Sequence, residues 1–293
     1  MEASGASSPY WQEGNKVDIP QGVSALLRCA LEEDIGCGDI TASLLLPEEN
    51  ISRAHIIAKG GFVLAGLPFV REVFRILDPS LSFKTFFRDG DRIKKGDVIA
   101  EVWGRTRTIL SGERVSLNIL QRLSGIATLT CAYKDKIQGT KAKIVDTRKT
   151  APCLRFMEKY AVRTGGGGNH RFGLFDGILI KDNHIKAVGG IKESVNRAKK
   201  GHHLLKIEVE VETLDQLREA IEAGADVVML DNMPVHEMKE AVTLVKGRVL
   251  IEASGNVTLE NIKDIADTGV DFISAGALTH SAPAADISLK IVA

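Results

Sequence analysis

The feature that most constrains this chain is a recurrence. From about residue 119 onward, a short apolar, β-branched run ends in charged residues and is followed by an amphipathic helical segment, the signature of repeated βα units. The runs are residues 142–147, 177–180, 205–209, 226–230, 249–252 and 272–274, which predicts about six parallel strands. Helix punctuation supports the alternation. Thr213-Leu214-Asp215-Gln216 reads as a capping box, and Gly224 stands where a helix would end on a left-handed residue. Six strands allow an open doubly wound sheet or a barrel smaller than the eight-stranded type, and periodicity alone does not choose.

Residues 17–118 read differently. A helix is expected near Val23–Glu33, followed by alternating strands over 53–61 and 81–102, with Asp89-Gly90 and Lys95-Gly96-Asp97 supplying turns. This is an α+β module. The first residues, 1–16, read as a mobile tail lacking the basic start and apolar run of a secretory signal. Lysine plus arginine and aspartate plus glutamate number 38 each, so no overall field points to nucleic acid or a membrane surface. Cys29, Cys37, Cys131 and Cys153 are scattered without a C-x-x-C pair, which argues against a disulfide framework or a zinc site. No apolar run is long enough to span a bilayer. A soluble, cytoplasmic protein is expected.

In parallel α/β folds the site lies at the carboxyl ends of the strands, and here those ends are rich in ions. The runs lead in turn into Arg148-Lys149, Lys181-Asp182, Glu210, Asp231-Asn232 and Ser254-Gly255-Asn256. Any one of these is an ordinary turn residue; five successive strand ends carrying them point to one mouth. Between the first two strands runs Gly165-Gly166-Gly167-Gly168-Asn169-His170-Arg171. Glycines in series are costly to order, so we read the run as a loop that approaches a ligand and delivers His170 and Arg171. The cationic set suits a substrate with several carboxylates or phosphates, because arginine grips carboxylate bidentately. Glu210 and Asp231, one βα unit apart, suit a divalent cation such as magnesium, with a general acid and base pair as the alternative.

These residues resemble a known family. Asp146-Thr147-Arg148-Lys149-Thr150, the glycine run through Leu174, Leu179 to Ile185, Glu33 to Asp39, Glu113-Arg114 through Thr128, Glu208-Val209-Glu210, Leu230-Asp231-Asn232 and Ser274 to His280 are similar in order and spacing to the quinolinate phosphoribosyltransferases. The resemblance implies a six-stranded incomplete α/β barrel (119–276) with an N-terminal α+β sandwich domain (17–118) that residues 277–293 join. It implies transfer of phosphoribosyl from phosphoribosyl pyrophosphate to quinolinate with loss of CO2, giving nicotinate mononucleotide for NAD synthesis. Arg114, Arg148, His170, Arg171 and Lys181 would hold quinolinate. Lys149, Glu210, Asp231, Ser254, Gly255, Asn256 and Gly276 would surround phosphoribosyl pyrophosphate, with magnesium on Glu210 and Asp231. Lys149, Lys181, Glu210 and Asp231 would act in catalysis. The minimal active unit would be a homodimer, open to further assembly, in which Arg114 reaches the neighbour's site. Cys153 departs from the family's pattern, where glycine is expected, and reads as a buried or partly buried structural thiol. Competing readings are an aldolase or decarboxylase using Lys181 as a Schiff-base residue and a non-catalytic binder on the same scaffold.

Overall fold

The structure, a computed structural model, describes residues 18–201 and 203–292; the tail of residues 1–16 lies outside them. By its contacts the chain divides into two compact units, 1–128 with 283–293 and 129–282. The seam falls inside one continuous helix and the return falls after residue 282, whereas the sequence reading set them after 118 and 276. No helix among the described residues is long and apolar enough to cross a membrane.

The first unit comprises α1 (Gln21–Ile35), α2 (Ile40–Leu45), β1 (Ile51–Ala58), β2 (Phe62–Val63), α3 (Leu67–Leu77), β3 (Ser82–Thr85), β4 (Arg92–Ile93), β5 (Val98–Arg105) and most of α4 (Thr106–Lys136). The second holds β6 (Lys143–Val145), α5 (Arg155–Thr164), β7 (Ile178–Ile180), α6 (Asp182–Val188), α7 (Ile191–Lys199), β8 (Ile207–Val211), α8 (Leu214–Ala223), β9 (Val227–Asp231), α9 (Val235–Val245), β10 (Leu250–Ser254), α10 (Ile262–Ala266), β11 (Phe272–Ser274) and α11 (Ala277–His280). Strand β12 (Ile287–Val292) then returns to the first unit.

In the first unit an antiparallel sheet runs in the order β12-β1-β5-β3, with Ala58 opposite Ile287 and Ala54 opposite both Ile291 and Val102. Alternation along β1 turns Ala54, Ile56 and Ala58 inward. They join Ala100, Val102, Ile287 and Leu289 in a core with Val70 and Phe74 of α3 and with Ile109, Leu117 and Leu120 of α4. A sheet covered on one face by helices is the expected α+β sandwich.

The second unit is an all-parallel six-stranded sheet in the order β6-β11-β10-β9-β8-β7. Its two ends, β6 and β7, are not paired to each other among the described residues. This is the incomplete barrel. Strands such as β8 are buried on both faces, as parallel strands sandwiched between helices and an interior must be. The helix signals hold at α8: Thr213 Oγ1 accepts from the Gln216 amide, Gln216 Oε1 reaches back to the Glu212 amide, and Gly224 caps the far end at φ 82°.

The return of the chain is tightly fitted against α4. A Cβ at Gly125 would lie 2.0 Å from the Pro283 carbonyl oxygen, a backbone atom that cannot step aside cheaply. In an open helix position Gly→Ala stabilises by about 1 kcal/mol. We expect Gly125→Ala instead to destabilise by about 1–3 kcal/mol through overpacking, read as a lower urea midpoint; a raised midpoint would contradict this packing.

Candidate active site

The site is built around the end of β6. Asp146, fully buried, receives three N–H donors: the Lys159 ammonium from α5, Asn169 Nδ2 at 2.6 Å and the His170 amide at 2.9 Å. Lys159 is itself buried and also donates to the His170 carbonyl at 3.0 Å, while Asn169 Nδ2 donates to the Lys159 carbonyl as well. Burial pushes the Asp146 carboxyl up and the Lys159 ammonium down, and each opposes the other's shift. The donors converging on the carboxylate favour its ionised form. Removing one partner of such a pair typically costs about 3–5 kcal/mol, because a lone buried charge remains.

The glycine run has a different physical basis from the one its sequence suggests. Gly168 continues β6 by a parallel bridge to Val145, its amide donating to the Ile144 carbonyl at 2.8 Å. A Cβ at Gly167 would meet Thr130 Cγ2 at 2.8 Å and Val162 Cγ1 at 2.9 Å, and one at Gly166 would meet the Lys134 side chain at 2.8 Å. The glycines let the loop pack closely against its own protein. The loop does deliver His170 and Arg171.

Arg171 Nη1 donates to the Gly177 carbonyl at 3.0 Å. Burial and the nearby Arg148 charge lower its pKa, which places two guanidinium groups within electrostatic reach of each other. Arg148 Nε is buried and has no hydrogen-bond partner. Two like charges with a donor left over form a cationic cradle suited to an anion. Arg155, which the sequence reading passed over, braces the cradle from α5: Nε donates to Thr150 Oγ1 at 3.0 Å and Nη1 to the Phe172 carbonyl at 3.0 Å.

The other predicted residues arrange themselves along the strand ends. Lys181 Nζ lies 3.0 Å from Glu210 Oε2. Burial and the charge of Glu210 push the Asp231 carboxyl above its ordinary value, so the two carboxylates are neighbours. After β9 and β10 the turns lock together through Asn232, whose amide donates to the Ser254 carbonyl at 2.9 Å and whose Oδ1 accepts from Asn256 Nδ2 at 3.1 Å. Gly255 must be glycine here, since a Cβ would sit 2.1 Å from Asn232 Oδ1 and φ is +93°. Gly276 is closely packed by side chains: a Cβ there would meet Lys149 Cδ at 2.8 Å and His280 Nε2 at 3.0 Å. Lys149, Gly276 and His280 are thus gathered at one corner, with Thr279 Oγ1 donating to the Lys149 carbonyl at 2.8 Å. Arg114 stands exposed on α4, in the first unit. Cys153 is exposed rather than buried and adopts φ +66°, the left-handed region that makes glycine the easier residue there.

Beneath the mouth lies a cluster missed by the strand-end argument. On β8 and β10, period-two alternation sets Glu208 on the face of Glu210, and Glu252 on that of Ser254. His170 Nε2 lies 2.9 Å from Glu208 Oε2 and 3.6 Å from Glu252 Oε2. Among the described residues this trio is a compact group of three potential metal ligands; the 2.9 Å separation is that of an ordinary hydrogen bond. Burial first, then the Glu208 charge, pushes the Glu252 carboxyl up to about 8. Burial lowers the His170 pKa, but the hydrogen bond to Glu208 and the charges of Glu252 and Glu208 outweigh it and carry the value above the ordinary one. The Arg171 amide points at His170 Nδ1 from 2.8 Å. That contact requires a lone pair on Nδ1, so the geometry sets the ring proton on Nε2.

A family model described as quinolinate phosphoribosyl transferase, C-terminal domain, matches residues 126–290, and that of the N-terminal domain matches residues 39–124. The chain is 49% identical over 260 residues to a Bacillus subtilis (strain 168) protein named probable nicotinate-nucleotide pyrophosphorylase (carboxylating), covering 88% of this chain and 90% of that one. It is 43% identical over 289 residues to a Nicotiana tabacum quinolinate phosphoribosyltransferase (decarboxylating), with coverages of 92% and 82%. The solved nicotinate-nucleotide pyrophosphorylase of Francisella tularensis superposes at a TM-score of 0.90 with 44% identity over 94% of this chain and 98% of that one. A human nicotinic acid phosphoribosyltransferase, at 11% identity and a TM-score of 0.61, shares the fold alone. The chain belongs to the quinolinate phosphoribosyltransferase family.

Proposed function

We propose that the chain transfers the phosphoribosyl group of phosphoribosyl pyrophosphate to quinolinate, releasing pyrophosphate and CO2 and leaving nicotinate mononucleotide. The observation that carries this reading is that the Arg148 and Arg171 charges lie within electrostatic reach of each other beside the strand ends, a pairing of cations that suits adjacent ring carboxylates. Lys181 adds a third cation once it leaves Glu210. Arg114 is assigned to the cradle of a partner subunit, making a homodimer the active unit.

Phosphoribosyl pyrophosphate is assigned to the corner of Lys149 and Gly276 and to the turn Ser254-Gly255-Asn256, where glycines keep the backbone accessible. Glu210 and Asp231 offer oxygen donors only, from adjacent strands, and this set fits magnesium, which takes one or two carboxylates and leaves other positions to phosphate and water. Bound there, the ion would offset charge on the departing pyrophosphate. Lys149 does the same from the protein side. The arginines hold the pyridine ring so that its nitrogen faces the anomeric carbon; the bond from that carbon to pyrophosphate breaks as the bond to nitrogen forms. When the adjacent carboxylate departs as CO2, the bonding pair stays on the ring carbon as a carbanion that the neighbouring pyridinium charge stabilises, and a proton then adds to that carbon. Lys181 is 46% exposed and ion-paired to Glu210, unlike the desolvated amine of a Schiff-base enzyme.

The first test is product formation with quinolinate or nicotinate as acceptor, alongside Arg171→Ala. Nicotinate mononucleotide is expected from quinolinate only. Since a charge-assisted hydrogen bond contributes about 1.5–3 kcal/mol, the variant's KM for quinolinate should rise by roughly tenfold or more. No product, or unchanged quinolinate kinetics in the variant, would refute the corresponding assignment. A mixture of the weakly active variants Arg114→Ala and Lys181→Ala should regain activity after subunit exchange if sites are shared; no regain would mean that each subunit's site is self-contained.

A further inference from the structure

Glu208 and Glu252 are buried carboxyl groups to which the reaction assigns no role. They are 8% and 3% exposed; Oε1 of Glu208 has no hydrogen-bond partner, and Glu252 lies against Glu208 and Ser274. Replacing a whole buried ionic group by apolar side chains is commonly neutral or stabilising, so two acids kept side by side in the barrel are poorly explained by stability. Their shared neighbour is the His170 ring, at 2.9 Å from Glu208 and 3.6 Å from Glu252.

Both nitrogens of that ring are engaged by the protein. Nε2 faces Glu208, and Nδ1 accepts from the Arg171 amide at 2.8 Å. The ring therefore reaches the ligand through what it holds in place. The His170 backbone is anchored at both ends by the Asp146–Lys159 pair, through its amide to Asp146 and its carbonyl to Lys159. The imidazole adds the next link, to the residue that carries the guanidinium.

We propose that Glu208 and Glu252 are positioning residues that hold the His170 imidazole with its proton on Nε2, so that the Nδ1 lone pair fixes the Arg171 backbone and sets its guanidinium beside Arg148. The inference rests on the assignment of Arg171 to quinolinate. It makes the buried acids determinants of quinolinate affinity and leaves phosphoribosyl pyrophosphate binding to the other corner of the site.

The test compares Glu208→Leu with Glu208→Gln in the full chain. Leu removes the acceptor for Nε2–H, whereas Gln keeps an oxygen there. Glu208→Leu should raise the KM for quinolinate by roughly tenfold, the loss of about one charge-assisted hydrogen bond, while the KM for phosphoribosyl pyrophosphate stays near that of the parent. Glu208→Gln should restore most of the loss. In ligand-free protein labelled with nitrogen-15 at histidine and held at a pH above the raised His170 pKa, where the ring is neutral, the His170 signals should report the Nε2–H tautomer in the parent and in Glu208→Gln, and a tautomer mixture in Glu208→Leu. Should Glu208→Leu fail to fold, Glu252→Leu carries both readouts, with smaller changes in the same direction. A folded Leu variant with parental quinolinate KM and ring signals overturns the proposal. So does an equal rise in both KM values that Gln does not relieve. If the parent itself makes no nicotinate mononucleotide, the functional assignment falls, and the ring signals still decide whether the two acids set the imidazole.

Discussion

A single buried carboxylate organises the candidate site. Asp146 closes the first barrel strand, draws the Lys159 ammonium out of α5, and takes the side-chain amide of Asn169 and the backbone amide of His170. A charge this deep is tolerated only when paired and hydrogen-bonded. Satisfying it pins the loop that follows α5 to the end of β6, at the open edge of the six-stranded sheet. What looks in sequence like a slack glycine tract is thereby made into a fixed strand extension, and the residues just beyond it are aimed rather than merely tethered.

Charge is sorted on this frame. The Arg148 charge acts on Arg171 and lowers its pKa, and Arg155 holds the loops on either side of them. Glu210 and Asp231 converge in the same unfavourable way, with Lys181 in contact with the first. Each like-charged pair is destabilising in the absence of ligand and is relieved by a ligand of opposite sign, which is how a preorganised site stores selectivity. In the proposed reaction a ring bearing carboxylates would answer the first pair, and a cation accompanied by phosphates the second. The proposed reaction brings both together.

Much of this was legible from the residues. The βα rhythm predicts the six strands, because it follows from local pattern, and the proposed mouth rests on the ionic strand ends and on the rule that parallel sheets act at their carboxyl edges. Three things were not legible. Glu208 and Glu252 lie one pleat below the edge, where a charged residue in an apolar run reads as part of the strand until alternation and an interloop histidine are seen together. The glycine run suggested proximity to ligand, but its neighbours, Thr130 and Val162, come from α4 and α5 and no spacing announces them. Cys153 suggested a buried thiol, yet its positive φ puts it in a turn and leaves it exposed; the glycine expected there was a statement about backbone, not about packing.

The account stands or falls on whether the loop carrying His170 and Arg171 is a rigid part of the barrel. Native-state hydrogen exchange at the Gly168 and His170 amides, which donate to the Ile144 carbonyl and the Asp146 carboxylate, measures this directly. Exchange of both amides only through global unfolding, with the same free energy as the central strands β8 and β9, is the predicted result. Exchange through a low-energy local opening, far below that of the central strands, would mean that the loop is mobile and that Asp146 does not hold the site in place.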